Sequence, residues 1–128
     1  MRRTFLALLA LPLLSACMGD NLPEQPRRVV FFTDTSAQLD GAAQAVVADA
    51  AALANRSPMV PVRVTGFADP DGNRARNEAL SQTRAQNVAA ALRAAGVAPS
   101  RIAVAGMGEV AMAGGPTGSR RVEIQVGP

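Results

Sequence analysis

The sequence predicts an α+β fold: a mixed four-stranded sheet with two helices packed on one face. Three observations carry it. Short apolar runs, most of them alternating with polar residues, occur at four places, and two longer stretches repeat apolar residues every three or four positions. These segments follow one another as strand, helix, strand, helix, strand, strand, an order that buries its stripes by laying both helices on a single sheet face. At 128 residues there is room for one domain, and 48% hydrophobic residues against 18% charged suffice for a core.

The first strand is the compact run Arg28-Val29-Val30-Phe31-Phe32. Thr35 or Ser36 can cap a helix from about Ala37, with Leu39, Ala43, Val46, Val47, Ala50, Leu53 and Ala54 as its stripe and Asn55-Arg56-Ser57-Pro58 as its end. Val60, Val62 and Val64 then alternate with Pro61 and Arg63 in a second strand running into Thr65-Gly66-Phe67. Ala68-Asp69-Pro70-Asp71-Gly72-Asn73 has the composition of a loop. A second helix follows with Ala79, Leu80, Val88, Ala91, Leu92 and Ala95 as its apolar positions, and Gly96 stands where a C-terminal cap belongs. Ile102 and Val104 mark a third strand, residues 106–119 with five Gly and one Pro read as a loop, and Val122, Ile124 and Val126 alternate through the last strand.

The N-terminus has a separate logic. Arg2-Arg3, an apolar run from Phe5 to Leu14 and small residues before a cut form a secretory signal peptide. The run is about half the roughly 20 residues needed to span a bilayer. Leu14-Ser15-Ala16-Cys17 resembles a bacterial lipobox, which makes residues 1–16 the signal peptide and Cys17 the lipidated first residue of the mature chain. Acylation also removes the unpaired thiol that an oxidising compartment would otherwise attack. Several acyl chains would anchor the protein without a spanning helix, and Met18 after the Cys fits lipoproteins sent to the outer membrane. Residues 17–28, rich in turn formers, read as a lipidated tether, and residues 29–128 as the domain.

Composition removes most catalytic chemistry. The chain has no His, Lys, Tyr or Trp, one Cys, and Arg at all 13 basic positions. Ser-His, Cys-His and Ser-Lys nucleophiles and Schiff bases are excluded, leaving only Asp and Glu as proton carriers. A zinc site of His and Cys cannot be assembled, and Gly114–Ser119 lacks the Lys and following helix of a phosphate cradle, so no cofactor is expected. Loss of residues 1–16 removes Arg2 and Arg3 and no acid, leaving 11 Arg against 10 acidic residues and a net charge of +1. Scattered Arg and four Phe as the sole aromatics do not make a nucleic-acid surface. Asp69 and Asp71 share one tight loop without sugar-binding aromatics, which does not suit a glycosidase.

Gly66-Phe67-Ala68-Asp69, Gly72, Asn77, Leu80-Ser81, Arg84-Ala85 and Val88 together resemble the signature of the OmpA-like C-terminal domain family, G-H-T-D-x-x-G followed by N-x-x-L-S-x-x-R-A-x-x-V. Gly106-Met107-Gly108-Glu109 resembles the family's G-x-G-E turn, and Arg120-Arg121-Val122-Glu123-Ile124 its closing N-R-R-V-E-I strand; the match spans about residues 29–126. The resemblance implies the family's β-α-β-α-β-β fold and non-catalytic binding of peptidoglycan. It further implies that Asp69 and Arg84 hold the diaminopimelate of the stem peptide, with Asn77 bracing the loop or touching the ligand. The chemistry is coherent: that amino acid presents an ammonium and a carboxylate on one carbon, Arg grips a carboxylate bidentately, and Asp accepts from the ammonium. Side chains of a helix lean toward its N-terminus, so Arg84 should point back at the Asp69 loop. Of Arg120 and Arg121, one could line the same groove. The sequence departs from the pattern at Phe67 and Ala68, which replace His and Thr, and at Ser119, which replaces Asn; an upstream family Arg has no counterpart among Gly114, Gly115 and Pro116.

Two functions follow as expectations. One is a lipid-anchored outer-membrane protein that binds peptidoglycan and ties membrane to wall. The other is an interaction subunit of an envelope assembly, with other envelope proteins as partners and peptidoglycan binding weakened or lost.

Overall fold

A computed structural model describes residues 22–110 and 115–128. The elements are β1 (Arg28–Phe31), α1 (Gly41–Arg56), β2 (Val62–Ala68), α2 (Arg74–Ala94), a 3-10 turn at Pro99–Arg101, β3 (Ile102–Glu109), α3 (Gly115–Ser119) and β4 (Arg121–Val126). The sheet order is β1-β4-β2-β3. β2 and β3 are parallel through the α2 crossover, while β4 slots between β1 and β2 antiparallel to both. The predicted mixed four-stranded sheet with two helices over one face is the fold observed.

Alternation sets the two faces. Val30, Val62, Val64, Val122, Ile124 and Val126 point to the helices and join Val47, Ala50, Leu53, Ala54, Val88 and Leu92 in one core. The intervening residues face away from the helices, among them Phe31 at 51% and Met107 at 61% exposed. The parallel strands run one way, so the ends of β1 and β2 meet the starts of β4, α1 and α2 at one end of the domain. At the other end lie the last turns of both helices, the start of β2 and the end of β4.

Several boundaries differ from the sequence expectations, each for a physical reason. α1 begins at Gly41 with Asp40 as its cap, accepting from the Ala43 amide at 2.8 Å, rather than at Ala37 behind Thr35 or Ser36. The carbonyls of Asp34 and Ser36, which would have begun that earlier turn, accept from the Arg84 side chain instead. Val60 precedes β2, and Ala68 is its last residue rather than the start of the loop. Residues 106–109 belong to β3 and 115–119 to α3, so the Gly-rich stretch is not a continuous loop; residues 111–114 lie outside those described.

The largest revision concerns α2. Its buried face is Asn77, Ser81, Arg84, Ala85, Val88, Ala89 and Leu92, whereas Ala79 and Ala95 are exposed. The first half of the helix rests on backbone. Gly66 and Gly106 are register partners in β2 and β3, and a Cβ at either would fall 2.1 Å from the Ser81 carbonyl oxygen or 2.7 Å from the Gln82 amide nitrogen. Two glycines side by side let the helix settle onto the sheet, and the Ser81 hydroxyl completes the joint by accepting from the Gly108 amide at 2.9 Å. At the far end Gly96 takes a positive φ of 97° after the last turn, as the cap reading expected.

Candidate functional site

At the end of the sheet where β2 stops and β4 starts lies a cleft of about 180 Å³. Its wall includes three carboxylates (Asp34, Asp69, Asp71), two guanidiniums (Arg84, Arg120) and Asn77. The three residues singled out from sequence therefore line one cavity, though they come from a strand-end loop and two turns of a helix. Cys17 lies outside the described residues.

Asp69 follows β2 directly. Its Oδ1 accepts from the Asp71 amide at 3.1 Å, closing an Asx turn over Pro70, and its Oδ2 pairs with Arg120 Nη1 at 3.3 Å. Both partners of that ion pair are largely covered, with side chains 15% and 17% exposed. Asn73 caps α2 by accepting from the Arg76 amide at 3.0 Å. Asn77, one turn on, donates through Nδ2 to the Asp71 carbonyl at 3.0 Å and to Glu109 Oε1 at 3.1 Å. It braces the loop, and only its carbonyl oxygen is left for a ligand.

Arg84 does lean toward the loop, but it is not Asp69's ion-pair partner. Its residue is fully buried, and it donates to the carbonyls of Ser36 (2.8 Å), Asp34 (2.6 Å) and Phe67 (3.5 Å) while its guanidinium stacks 5.2 Å from the Phe32 ring centre. Those bonds tie the β1–α1 loop to the end of β2 and leave two of five N–H groups uncommitted. Burial above all, and then the neighbouring Arg120, push its pKa down to about 10 against the opposing pull of Asp34 and Asp69.

Arg120 is the groove-lining member of its pair. Arg121 turns to the open sheet face, where it stacks 4.3 Å from the Phe67 ring and bonds Glu123 at 2.9 Å. The Phe67 substitution therefore removes nothing from the cleft, because that side chain points away from it. Ser119, in place of the family Asn, is buried with its Oγ unpaired among the described residues. Sequence reasoning missed Asp34 as a site residue. The available signal was its position just after the first strand, at the sheet end that Asp69 occupies, but Thr35 and Ser36 drew attention as helix caps.

Three carboxylates against two guanidiniums can engage both charges of a zwitterion and leave one carboxylate over for an ammonium. Fold and cleft together define a small mixed-sheet module with a charged cleft at one end of its sheet. The OmpA family pattern matches residues 31–121, and the chain belongs to that family. It is 35% identical over 116 residues to the probable lipoprotein YiaD of Escherichia coli, a match covering 86% of this chain and 53% of YiaD, so the chain spans about half the length of that relative. The crystal structure of the peptidoglycan-associated lipoprotein from Burkholderia pseudomallei superposes with a TM-score of 0.72 at 26% identity, covering 77% of this chain and 89% of that one. The OmpA-like domain of FopA1 from Francisella tularensis gives the same TM-score at 23% identity over 80% of this chain and 72% of that one, a likeness of fold.

Proposed function

We propose that this chain is a non-catalytic, lipid-anchored lipoprotein of the outer membrane that binds the diaminopimelate of peptidoglycan stem peptides and so holds membrane to wall. The observation that carries it is the cleft in which Asp69, Arg84 and Asn77 converge with Asp34 and Arg120. In this reading Asp69 and Asp34 receive the ammonium, while the uncommitted N–H groups of Arg84 and Arg120 receive the carboxylate. Cys17 carries the anchor, and residues 18–27 are the tether. Family membership and the likeness to a peptidoglycan-associated lipoprotein support the wall-binding part; the lipobox supports the anchor.

The test is co-sedimentation of the mature chain with intact sacculi. Asp69→Asn keeps the Asx turn's acceptor and removes the charge, so it should lose binding by about 2–5 kcal/mol, the loss expected when one partner of a covered charge pair goes. Undiminished binding by Asp69→Asn would refute the assignment. Arg84→Ala is the weaker probe, because it also releases the β1–α1 loop.

One observation favours the second reading, an interaction subunit of an envelope assembly. The open sheet face displays Phe31 and Met107 beside Phe67 and Arg121, the residue types enriched at protein interfaces. A stoichiometric protein partner recovered by pull-down, with no sacculus binding, would replace the first reading with this one.

A further inference from the structure

Acidic residues gather at the cleft end of this domain among several Arg, while the opposite end is rich in Arg alone. The end holding the last turns of α1 and α2 carries Arg56, Arg93 and Arg101, and no Asp or Glu occurs in residues 50–61 or 91–101. Arg63 stands at the start of β2 on the open sheet face, where it shares a groove with Glu24, Glu123 and Pro128. None of these four Arg has a carboxylate within ion-pair distance among the described residues, unlike Arg27, Arg28, Arg74, Arg120 and Arg121. Arg101 is fixed in place by donating to the carbonyls of Ala54, Ser57 and Val60 at 2.8–3.0 Å. Beside it the Ser57–Pro61 loop presents Met59 at 77% exposed. The cleft end, in contrast, mixes Asp34, Asp40, Asp69, Asp71, Glu78 and Glu109 with Arg74, Arg76, Arg84 and Arg120, two of them in ion pairs there.

The chain leaves the domain at this same basic end. Leu22 packs on the core beside Gly127, where a Cβ added to the glycine would lie 3.8 Å from that of Leu22, and the Gly127 amide bonds the Pro61 carbonyl at 2.9 Å. Only four residues lie between Leu22 and Cys17, a reach of about 18 Å at most. From these two facts we infer that the Arg56–Arg63–Arg93–Arg101 end docks on anionic phospholipid headgroups, with Met59 entering the interface and the cleft facing away. The inference rests on the lipid-anchor reading of Cys17 for its setting. Fixed Arg near an anionic surface each contribute roughly fivefold to partitioning, and the attraction decays within a Debye length of about 8 Å, so a tether this short is what makes them effective.

The test couples the mature chain through its Cys17 thiol to a maleimide-headgroup lipid in nanodiscs of phosphatidylcholine, with or without about one-third phosphatidylglycerol. Peptide-level hydrogen exchange is then read. Docking slows exchange at residues 57–61 and 95–101 on the anionic discs only and leaves 69–73 unchanged. The slowing should vanish in about 0.5 M salt and in Arg56→Gln/Arg63→Gln/Arg93→Gln, whose attraction for the surface falls roughly a hundredfold. Equal exchange on both discs, protection of 69–73, or protection that survives the triple substitution overturns the inference. Mass analysis of Cys17 from cell membranes separately tests the anchor; an unmodified thiol there removes the anchor reading without altering the nanodisc result.

Discussion

Arg84 shows how one side chain can serve two ends. Its three bonds to carbonyls of Asp34, Ser36 and Phe67 are structural, and the same residue lines the cleft. Arg84→Ala should lower stability by about 2–4 kcal/mol in urea unfolding, the cost of leaving buried carbonyls without donors. The guanidinium also makes an unusual pH signature. With its folded pKa pushed down to about 10, well below the ordinary guanidinium value it has when unfolded, the folded state binds fewer protons than the unfolded one above about pH 10. Stability from this group therefore rises with pH above about 10. The chain has no Lys and no Tyr to obscure it. Denaturation midpoints at about pH 9 and pH 11 should increase in the native chain relative to Arg84→Met, which lacks the titration.

At the scale of elements, the joint between α2 and the sheet is where prediction and outcome part. Strands and helices were legible because alternation and three-to-four spacing report burial directly, as in Val122-Glu123-Ile124-Gln125-Val126 and in α1. The first half of α2 was not, because its contact with the sheet is made by Ser81, Arg84 and the backbone over Gly66 and Gly106 rather than by an apolar stripe. A polar buried face gives no periodic signal. For the same reason Ala79 looked like core and is exposed. Asp69, Asn77 and Arg84 were legible as a group through motif spacing, while several of their true partners lie far away in sequence: Arg120 for Asp69, Glu109 for Asn77 and the carbonyls of Asp34 and Ser36 for Arg84. Gly66→Ala should destabilise by about 3 kcal/mol or prevent folding, since the new methyl meets a backbone carbonyl that cannot swing aside. Gly72→Ala, where nothing lies within 4 Å, should cost only the strain of its positive φ and leave the α2 joint intact; thermal unfolding of the two variants checks the contrast.

For the whole molecule, the sheet keeps its two ends apart. β2 alone covers about 20 Å from Val62 to Ala68, and α2 about 30 Å over its 21 residues, so the cleft and the emerging tether sit at opposite poles. In the proposed role, one pole is held by lipid and the other by the wall. Lengthening the tether with a flexible insert after Gly19 should leave sacculus binding unchanged and weaken the headgroup contact, which the nanodisc exchange experiment would register.

The polarity of β1 has a mechanical consequence. The chain enters the sheet at Arg28, at the pole opposite the cleft, and β1 is hydrogen-bonded antiparallel to β4 from Arg28↔Ile124 to Phe31↔Arg121. In the proposed role, a pull from the membrane draws β1 along its own axis while the wall holds the start of β4 and the end of β2. The ladder bonds lie across that axis, so they are loaded in shear and must fail together rather than peel one after another. Under turgor or envelope stretching, a four-residue strand would thus resist as a unit, and single-molecule pulling between Cys17 and the Asp69 loop should give a higher rupture force than pulling between Cys17 and Pro128, which opens the same pair from one end.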